Sequence, residues 1–370
     1  CAAGGGSAGG GAAGGNGGGS AGGGAGGGAG GGTPATMTVY VGGYTNTIGV
    51  YTLNGATGAL TSKGSVSAGG GSNPSFLAVD VAHLALYSAN EGNSTIGAFR
   101  INPTTGALTS LNSQPSAGGP AHVSIDRTGD WVMSANYGGG TVVVFPAKPD
   151  GGLGPSSDSK SPGANAHQIV ASPNNDAVLV PCLGSNLVAQ YRFNVDAGTL
   201  TANSPSSVAA TAGSGPRHLA FHPNGRIVYL LNETASTLTT LDFNPATGRL
   251  VPRATINARA ANATGNNTGA EVQVHPTGRF VYSSNRGDDE IVVYEVSADA
   301  GSVTRIGAQG SGVVTPRHFS LVPGGELMLV ASQGANTVQT MRVGLDGGLT
   351  PTGQSITSTS PTFAEAVVLP

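Results

Sequence analysis

Charged residues are scarce in this 370-residue chain: they make up 9% of it, and the formal net charge is -3. The three lysines, Lys63, Lys148 and Lys160, are scattered, and the chain contains no basic run. Binding a nucleic acid needs clustered positive charge that neutralises phosphates, so the composition argues against a nucleic-acid partner. No stretch approaches the roughly 20 apolar residues that a membrane-spanning helix needs. Attachment to a membrane would therefore need something other than a membrane-spanning helix.

Cysteine is nearly absent, with only Cys1 and Cys182 in the chain. Cys182 ends an apolar run over 178–182, so we expect a buried small hydrophobic residue and no disulfide framework. No serine or cysteine stands in the setting of an activated nucleophile. The spacing of the histidines does not support a metal site. The sequence thus predicts neither a metal nor a cofactor.

Residues 1–36 consist almost entirely of Gly, Ala and Ser. Such a segment has no side chains that could bury apolar surface, so we expect a flexible tether. It also lacks the strand–loop–helix context of a phosphate-binding loop. A cysteine at position 1 resembles the mature start of bacterial lipoproteins, whose first cysteine carries acyl chains. We therefore expect lipidation of Cys1 and a location at the cell envelope, although an accidental cut before Cys1 would give the same sequence.

One unit recurs every 45–53 residues from about residue 72 onward. In the copy that starts at Gly215, four strand-like runs (218–221, 227–232, 237–243 and 250–256) are separated by turn signals. The turns over 223–225 and 244–248 each end in a glycine suited to the left-handed conformation. Four short strands per unit at this period are typical of a β-propeller blade. The units start near Pro74, Pro120, Asn165, Pro216, Gly269, Pro316 and Pro361.

The number of blades is seven only if the two ends of the chain share a blade. Residues 37–66 contain three strand-like runs without a first one, and residues 360–369 supply a lone first strand. Pairing them closes the ring and leaves no exposed edge. The sequence therefore predicts an all-β fold, a seven-bladed β-propeller over residues 37–370, which we expect to be a monomer.

Aligning the units places reactive side chains at recurrent positions. Equivalent positions of a propeller form rings around its central channel, and a ring of mixed charges is costly unless it is hydrated or binds a ligand. We therefore predict a pocket for a small anionic ligand. The start of the innermost strand reads Phe76, His122, His167, His218, Glu271, His318 and Phe363. The residue before it reads Ser75, Ala121, Ala166, Arg217, Ala270, Arg317 and Thr362. The position after the second strand reads Tyr44, Glu91, Tyr137, Leu183, Glu233, Arg286 and Gln333.

Histidines that recur in a repeat protein can also be structural, bonding to the backbone between blades. We favour that interpretation for His222 and His275, which lie in His-Pro turns between strands. For the histidines of the innermost strands both interpretations stay open.

Five motifs resemble the lactonase-type seven-bladed propellers, which include a bacterial 6-phosphogluconolactonase and the fungal carboxy-cis,cis-muconate cyclase. They are Gly215-Pro-Arg-His-Leu-Ala-Phe-His-Pro-Asn, Leu231-Asn-Glu, Ala270-Glu-Val-Gln-Val-His-Pro-Thr-Gly-Arg-Phe-Val-Tyr, Ser284-Asn-Arg and Thr315-Pro-Arg-His-Phe. The resemblance extends over residues 37–370 and implies lactone hydrolysis or the related cycloisomerisation. The site proposed for the cyclase implies catalytic roles for His167, Arg217, Glu233 and Arg286. We predict substrate binding by His122, His218, Glu271, Arg317, His318 and Glu91.

These residues predict a mechanism in which arginines hold an anionic lactone, sugar-derived or carboxylated, and Glu233 or His167 moves a proton. The alternative is a non-catalytic, membrane-anchored propeller that binds a glycan or a protein. Convergence of the four candidate catalytic residues on one cavity would favour the enzyme. A plugged channel, with its arginines paired to carboxylates, would favour the binding protein.

Overall fold

The computed structural model describes residues 36–370. The lipidation of Cys1 and nearly all of the tether predicted for residues 1–36 lie outside these residues. The described chain is all-β, with seven four-stranded antiparallel sheets arranged as the blades of a propeller, as predicted. Over residues 36–370, no helix has the length and apolarity needed to cross a bilayer.

The first three strands belong to the closing blade, which we number blade 7. They are β1 (Thr36–Gly43), β2 (Thr47–Asn54) and β3 (Leu60–Ser67). Blade 1 contains β4 (Pro74–Asp80), β5 (Ala85–Asn90), β6 (Thr95–Ile101) and β7 (Leu108–Pro115). Blade 2 contains β8 (Pro120–Ile125), β9 (Trp131–Asn136), β10 (Thr141–Pro146) and β11 (Asp158–Lys160). Blade 3 contains β12 (Val170–Ala171), β13 (Ala177–Cys182), β14 (Leu187–Asn194) and β15 (Thr199–Ala209).

The second half of the chain forms the remaining blades. Blade 4 contains β16 (Pro216–Phe221), β17 (Ile227–Asn232), β18 (Thr237–Asn244) and β19 (Arg249–Asn257). Blade 5 contains β20 (Gly269–Val274), β21 (Phe280–Asn285), β22 (Glu290–Val296) and β23 (Val303–Gln309). Blade 6 contains β24 (Pro316–Leu321), β25 (Leu327–Ser332), β26 (Thr337–Val343) and β27 (Leu349–Thr357). The last strand, β28 (Pro361–Val367), completes blade 7.

Blade 7 closes the ring by pairing the two ends of the chain. Strand β28 lies antiparallel to β1, with Tyr40 opposite Glu365 and Gly43 opposite Pro361. The sheet order is β28-β1-β2-β3, which confirms the predicted closure. The second strand, β1, therefore has a hydrogen-bonded partner on each side.

Apolar side chains fill the spaces between neighbouring blades rather than one central core. Seven buried clusters occur, and each joins residues of two adjacent blades. Tyrosine hydroxyls reinforce three of these interfaces: Tyr40 donates to Gly106 O (2.9 Å), Tyr229 to Ala300 O (3.0 Å) and Tyr282 to Gly347 O (3.0 Å). Closing the ring therefore completes the burial of every blade face. Cys182 is buried and free, as predicted.

The turn chemistry predicted from the repeat is present. Gly225 and Gly248 have φ values of 66° and 68°, the left-handed region that glycine enters without steric cost. His222 and His275 also behave as predicted for structural histidines. The Nε2–H of His222 donates to the carbonyl of Gly278 in the next blade (3.1 Å), and that of His275 donates to Gly325 (3.3 Å).

In blade 3 the alignment predicted from the sequence is wrong by one residue. Ala166, not Asn165, forms the bridge to Cys182 at the end of β13. In blade 4 the equivalent contact joins Pro216 to Asn232, the last residue of β17, so Ala166 corresponds to Pro216. The other units place Pro or Gly at this position, whereas blade 3 has an alanine there, so the sequence alone did not mark its register.

The corrected register exchanges the roles of two neighbouring residues. His167 takes the position that Arg217 and Arg317 occupy in their blades, and Gln168 takes the position of His218. The Gln168 side chain is used structurally, since its Oε1 accepts the N–H of Leu219 at 2.7 Å. His167 is thereby displaced from the ring of histidines to the ring of arginines.

Candidate active site

The same backbone hydrogen bond is repeated around one face of the propeller. In every blade, the residue after the second strand donates its N–H to the carbonyl of the residue before the innermost strand. The seven bonds measure 2.6–3.1 Å. We call the seven donor residues the rim ring, and they match the predicted set: Tyr44, Glu91, Tyr137, Leu183, Glu233, Arg286 and Gln333.

Below the rim ring, irregular pairing turns one residue of each innermost strand towards the channel. In blade 4, β16 pairs through Pro216 and then His218, so Arg217 is the extra, bulged residue. Arg317 is the bulged residue of blade 6 in the same way. Bulges are a common device for redirecting a side chain. We call this layer the upper ring, and it consists of Ser75, Ala121, His167, Arg217, Ala270, Arg317 and Thr362.

A third layer closes the channel beneath the upper ring. We call it the floor ring, and it consists of Phe76, His122, Gln168, His218, Glu271, His318 and Phe363. Its aromatic rings pack against one another: the centroid of Phe76 lies 4.2 Å from that of His122 and 4.7 Å from that of Phe363. His318 packs on Phe363 at 4.4 Å. Ring-to-ring contacts of this kind leave no open pore at this level.

One narrow cavity lies between the upper and floor rings. Its volume is about 10 Å³, measured where the centre of a water molecule fits, which is room for about one water. His167, Arg217 and Arg317 line it from above, and His218, Glu271 and His318 from below. Polar groups of four blades and both charge signs therefore meet around a single small space.

A carboxylate bridges two arginines at the mouth of this cavity. Glu233 Oε1 lies 2.8 Å from Arg286 Nη2, and Glu233 Oε2 lies 2.9 Å from Arg217 Nε. Arg217 is only 3% exposed and also donates to the carbonyl of Ala270. Burial lowers the pKa of Arg217 to about 9, while Glu233 acts to raise it. Glu233 thus stabilises the charged form of an arginine that burial would otherwise disfavour.

Arg317 makes a different kind of contact. Its guanidinium carbon lies 5.3 Å from the centre of the Tyr44 ring, a cation–π contact. The Tyr44 hydroxyl is hydrogen-bonded to Glu91, and the pKa of Tyr44 is raised, chiefly by burial. The two carboxylates nearest the cavity, Glu233 and Glu271, form their ion pairs with other residues. The donors of Arg317 are therefore not taken up by these carboxylates.

The buried histidines of the site are neutral at pH 7. Burial is the largest cause that lowers the pKa of His122, His167 and His218, and nearby arginines and histidines lower each of them further. For His167 the second cause is Arg217. Burial lowers the pKa of His318 to about 4, against the opposing effect of Glu271. These imidazoles can therefore accept a proton but carry no standing charge.

Comparison with known proteins identifies the relatives of this arrangement. Residues 38–367 match the family described as lactonase, 7-bladed beta-propeller. The chain belongs to this lactonase family.

Named relatives of this lactonase-family chain share most of its length. The 6-phosphogluconolactonase of Bacillus subtilis (strain 168) is 33% identical over 321 residues, which cover 80% of this chain and 88% of the relative. That of Pectobacterium carotovorum is 29% identical over 253 residues, covering 68% and 76%. The structure of a periplasmic gluconolactonase from Pseudomonas aeruginosa is similar with a TM-score of 0.81 at 27% identity, covering 90% of this chain and all of the other. These relationships support an enzyme.

The lactonase-family site contains most of the residues predicted from the sequence, in three layers. His167 and Arg317 lie in the upper ring with Arg217, while Glu233, Arg286 and Glu91 lie in the rim ring. His218, Glu271 and His318 lie in the floor ring against the cavity. His122 lies in the floor ring but packs on Phe76 without lining the cavity. The roles assigned to these residues stay predictions.

Sequence reasoning named two tyrosines only as ring members and gave them no role. Tyr44 supports Arg317, and the ring centroid of Tyr137 lies 5.6 Å from that of His167. Tyr137 is 37% exposed, so it is open to a ligand that approaches His167 from the rim. The sequence signal that could have pointed to these roles was the position of both tyrosines in the rim ring.

The structure shows features of both kinds by which the sequence analysis distinguished an enzyme from a binding protein. The floor ring plugs the channel, and Arg217 and Arg286 are paired with Glu233, as expected of a binding protein. His167, Arg217 and Arg317 nevertheless converge on one cavity, with Glu233 and Arg286 at its mouth, as expected of an enzyme. Membership of the lactonase family weighs in favour of the enzyme.

Proposed function

We propose that this protein hydrolyses a small anionic lactone, either sugar-derived or carboxylated. The observation that carries the proposal is the shared upper ring: a neutral histidine, His167, stands beside Arg217 and Arg317 around one cavity. The family relationship supports lactone chemistry, and the names of the relatives support a sugar lactone.

His167 is the better candidate for the general base. Both oxygens of Glu233 face guanidinium nitrogens at 2.8–2.9 Å, so this carboxylate is engaged in holding the arginines. His167 is neutral and borders the cavity. As the water oxygen bonds to the lactone carbonyl carbon, His167 takes the water proton. The ring C–O bond then breaks, and the same proton passes to the departing alkoxide, giving the hydroxy acid.

The arginines divide between two anionic groups. Arg217 and Arg286, oriented by Glu233, would stabilise the oxyanion that forms at the lactone carbonyl, since fixed cations need no reorganisation during the reaction. Arg317, seated on Tyr44, would bind the carboxylate or phosphate substituent through paired N–H groups. Glu233 is on this view a positioning residue.

The size of the cavity favours hydrolysis over cycloisomerisation. A space of about 10 Å³ holds about one water but no lactone ring. The substrate would therefore lie above it, among the upper and rim rings, with the nucleophilic water beneath. Tyr137 lies beside His167 and offers an aromatic surface to a sugar ring.

A panel of lactones tests the proposal. We expect the purified chain to hydrolyse an aldonolactone bearing a carboxylate or phosphate faster than a neutral one, measured by proton release in a pH-stat. His167→Gln should lower kcat/KM by about 10²–10⁴-fold, the usual contribution of a general base. His83→Gln is the matched control, because His83 is exposed and lies in the turn between β4 and β5, at the end of β5 opposite to Glu91. Full turnover by His167→Gln would refute the role of His167.

The plugged channel favours one alternative, a non-catalytic protein that binds a glycan or another protein. In that case no lactone of the panel would be hydrolysed, while calorimetry would still detect binding of an anionic sugar. Arg317→Met would then weaken binding without any activity to lose.

A periplasmic relative supports a location at the cell envelope. A substrate reached there would be carboxylated or neutral more readily than a phosphosugar, which the panel can distinguish. Fractionation of cells that produce the full chain tests the location, and recovery in the cytoplasmic fraction alone would contradict it.

A further inference from the structure

We propose that Glu271 and His218 are positioning residues that hold His167 in the tautomer whose unprotonated Nε2 faces the cavity. The catalytic meaning of this arrangement rests on the proposed function, but the tautomer itself does not. The sequence analysis had predicted that both residues bind substrate.

A line of three side chains crosses the boundaries between blades 3, 4 and 5. His167 Nδ1 lies 3.2 Å from His218 Nε2, and His218 Nδ1 lies 3.0 Å from Glu271 Oε2. The three residues are 5%, 1% and 4% exposed. Each contact therefore lies in a region of low dielectric, where a hydrogen bond is strong and an unpaired polar atom is costly.

The surroundings of Glu271 show which atoms carry protons. The backbone N–H of Val272 donates to Glu271 Oε1 at 3.1 Å. The backbone N–H of Ala364 donates to His318 Nδ1 at 3.4 Å, so the proton of neutral His318 is on Nε2. That Nε2 faces Glu271 Oε2 at 3.7 Å. One oxygen thus accepts a backbone N–H, and the other faces the N–H of His318 at a distance longer than a hydrogen bond, an arrangement that favours the carboxylate form.

A carboxylate on Glu271 determines which nitrogens of His218 and His167 carry protons. Glu271 accepts, so His218 donates through Nδ1–H and its Nε2 presents a lone pair. His167 must then carry its proton on Nδ1 to donate to His218, which leaves Nε2 of His167 free to accept a proton. Both imidazoles are neutral because burial lowers their pKa, and Arg217 acts in the same direction on each.

Several charged or titratable groups face this line and set its pH response. Burial raises the pKa of Glu271, whereas His318 and Arg217 lower it. The groups that lower the pKa of His167 or His218 are Arg217, Arg286, Arg317, His122 and His218 itself. The base form of His167 therefore persists at pH values below 6.5, the ordinary value for histidine.

Glu271→Gln tests the proposal because it should reverse the direction of both hydrogen bonds along this line. The N–H of Val272 needs an acceptor, so the amide oxygen takes that place and the NH₂ group turns towards His218 Nδ1. His218 then donates through Nε2–H, and His167 is left with its proton on Nε2, where it cannot act as a base. We expect kcat to fall about 10²–10⁴-fold with little change in KM.

Nitrogen-15 NMR of histidine-labelled protein supplies a readout that packing alone would not move. We expect wild-type His167 to be the Nδ1–H tautomer and to become the Nε2–H tautomer in Glu271→Gln. His318 should keep Nε2–H in both proteins, because the N–H of Ala364 holds its Nδ1. Glu295→Gln is the matched control, since it removes the same charge from an exposed site on blade 5.

A second variant covers the case in which Glu271→Gln fails to fold. His218→Phe introduces the residue found at the equivalent positions of blades 1 and 7, Phe76 and Phe363, and removes the acceptor for His167 Nδ1. It should leave His167 as a mixture of tautomers with reduced kcat. An Nε2–H tautomer of His167 in the wild type would overturn the proposal. The expected tautomers together with no turnover of any lactone would refute the proposed function alone.

Discussion

At the scale of single residues, one position in each innermost strand determines the chemistry of the site. The bulged residue points into the channel, and three of the seven residues at that position are His167, Arg217 and Arg317. The remaining members are small, so nothing else competes for the space. A ligand therefore meets one base and two cations.

Arg317 gives the sharpest prediction at this scale. Replacing it with Met keeps a chain of similar length but removes the guanidinium, and a hydrogen-bonded charge contributes about 1.5–3 kcal/mol. We expect kcat/KM for an anionic lactone to fall roughly 10–100-fold, with little change for a neutral lactone. Steady-state kinetics on the two substrates measures the ratio.

The matched control for Arg317 is Arg226→Met. Arg226 is exposed and directly precedes β17, at the end of that strand opposite to Glu233, so its loss should leave both substrates unaffected. An equal decrease for neutral and anionic lactones in Arg317→Met would show that Arg317 supports the fold and does not recognise charge.

Residue types at the site could be predicted from the sequence, but their exact layer could not. The motifs identified the histidines and arginines because proline or glycine marks the start of most innermost strands. In blade 3 that marker is Ala166, and the alignment slipped by one residue. Only the pairing of Ala166 with Cys182 placed His167 among the arginines.

At the scale of strands, the seam between β1 and β28 holds the ring together. Gly43 ends β1 opposite Pro361, and the next residue, Tyr44, donates its N–H to Ser360 O at 3.1 Å. A Cβ on Gly43 would lie 2.5 Å from that same carbonyl oxygen. The seam therefore requires glycine here for close approach of two backbones.

Gly43→Ala should weaken the closing blade. The added methyl must push Ser360 away and break the Tyr44 hydrogen bond, so we expect a loss of roughly 1–3 kcal/mol in the free energy of unfolding. Urea unfolding followed by circular dichroism measures it. Gly307→Ala in β23 is the control, because its Cβ would meet no atom within 4 Å. Equal stability of the two variants would contradict this account of the seam.

At the scale of the whole molecule, the buried histidines of the upper and floor rings couple stability to pH. His122, His167, His218 and His318 stay neutral in the folded protein, whereas the unfolded chain binds a proton at each near pH 6.5. The unfolded state then holds more protons, so stability is present above pH 6.5 and is lost as the pH falls. Glu271 acts in the opposite sense above its ordinary value of 4.5, because its pKa is raised. One carboxyl offsets only part of the effect of four imidazoles.

We therefore expect the free energy of unfolding, obtained from urea titrations, to decrease from pH 7 to pH 5 by up to about 1.4 kcal/mol per pH unit for each histidine that remains neutral. His122→Phe isolates one of them. The floor ring already contains Phe76 and Phe363, and Nδ1 of His122 is buried without a hydrogen-bond partner among the described residues. The variant should be more stable at pH 5 and show a shallower slope. An unchanged slope would mean that His122 does not contribute.

The sequence by itself determined the propeller, the number of blades and the closing strand, because these follow from a periodic pattern of turns and apolar residues that each unit repeats locally. It also supplied the residue types of the site. The tertiary structure alone decided which of them touch, since rings around the channel join residues about 50 positions apart that no local pattern relates. The hydrogen-bonded line from Glu271 through His218 to His167, and the pairing of Glu233 with two arginines, exist only when blades 3, 4 and 5 pack side by side.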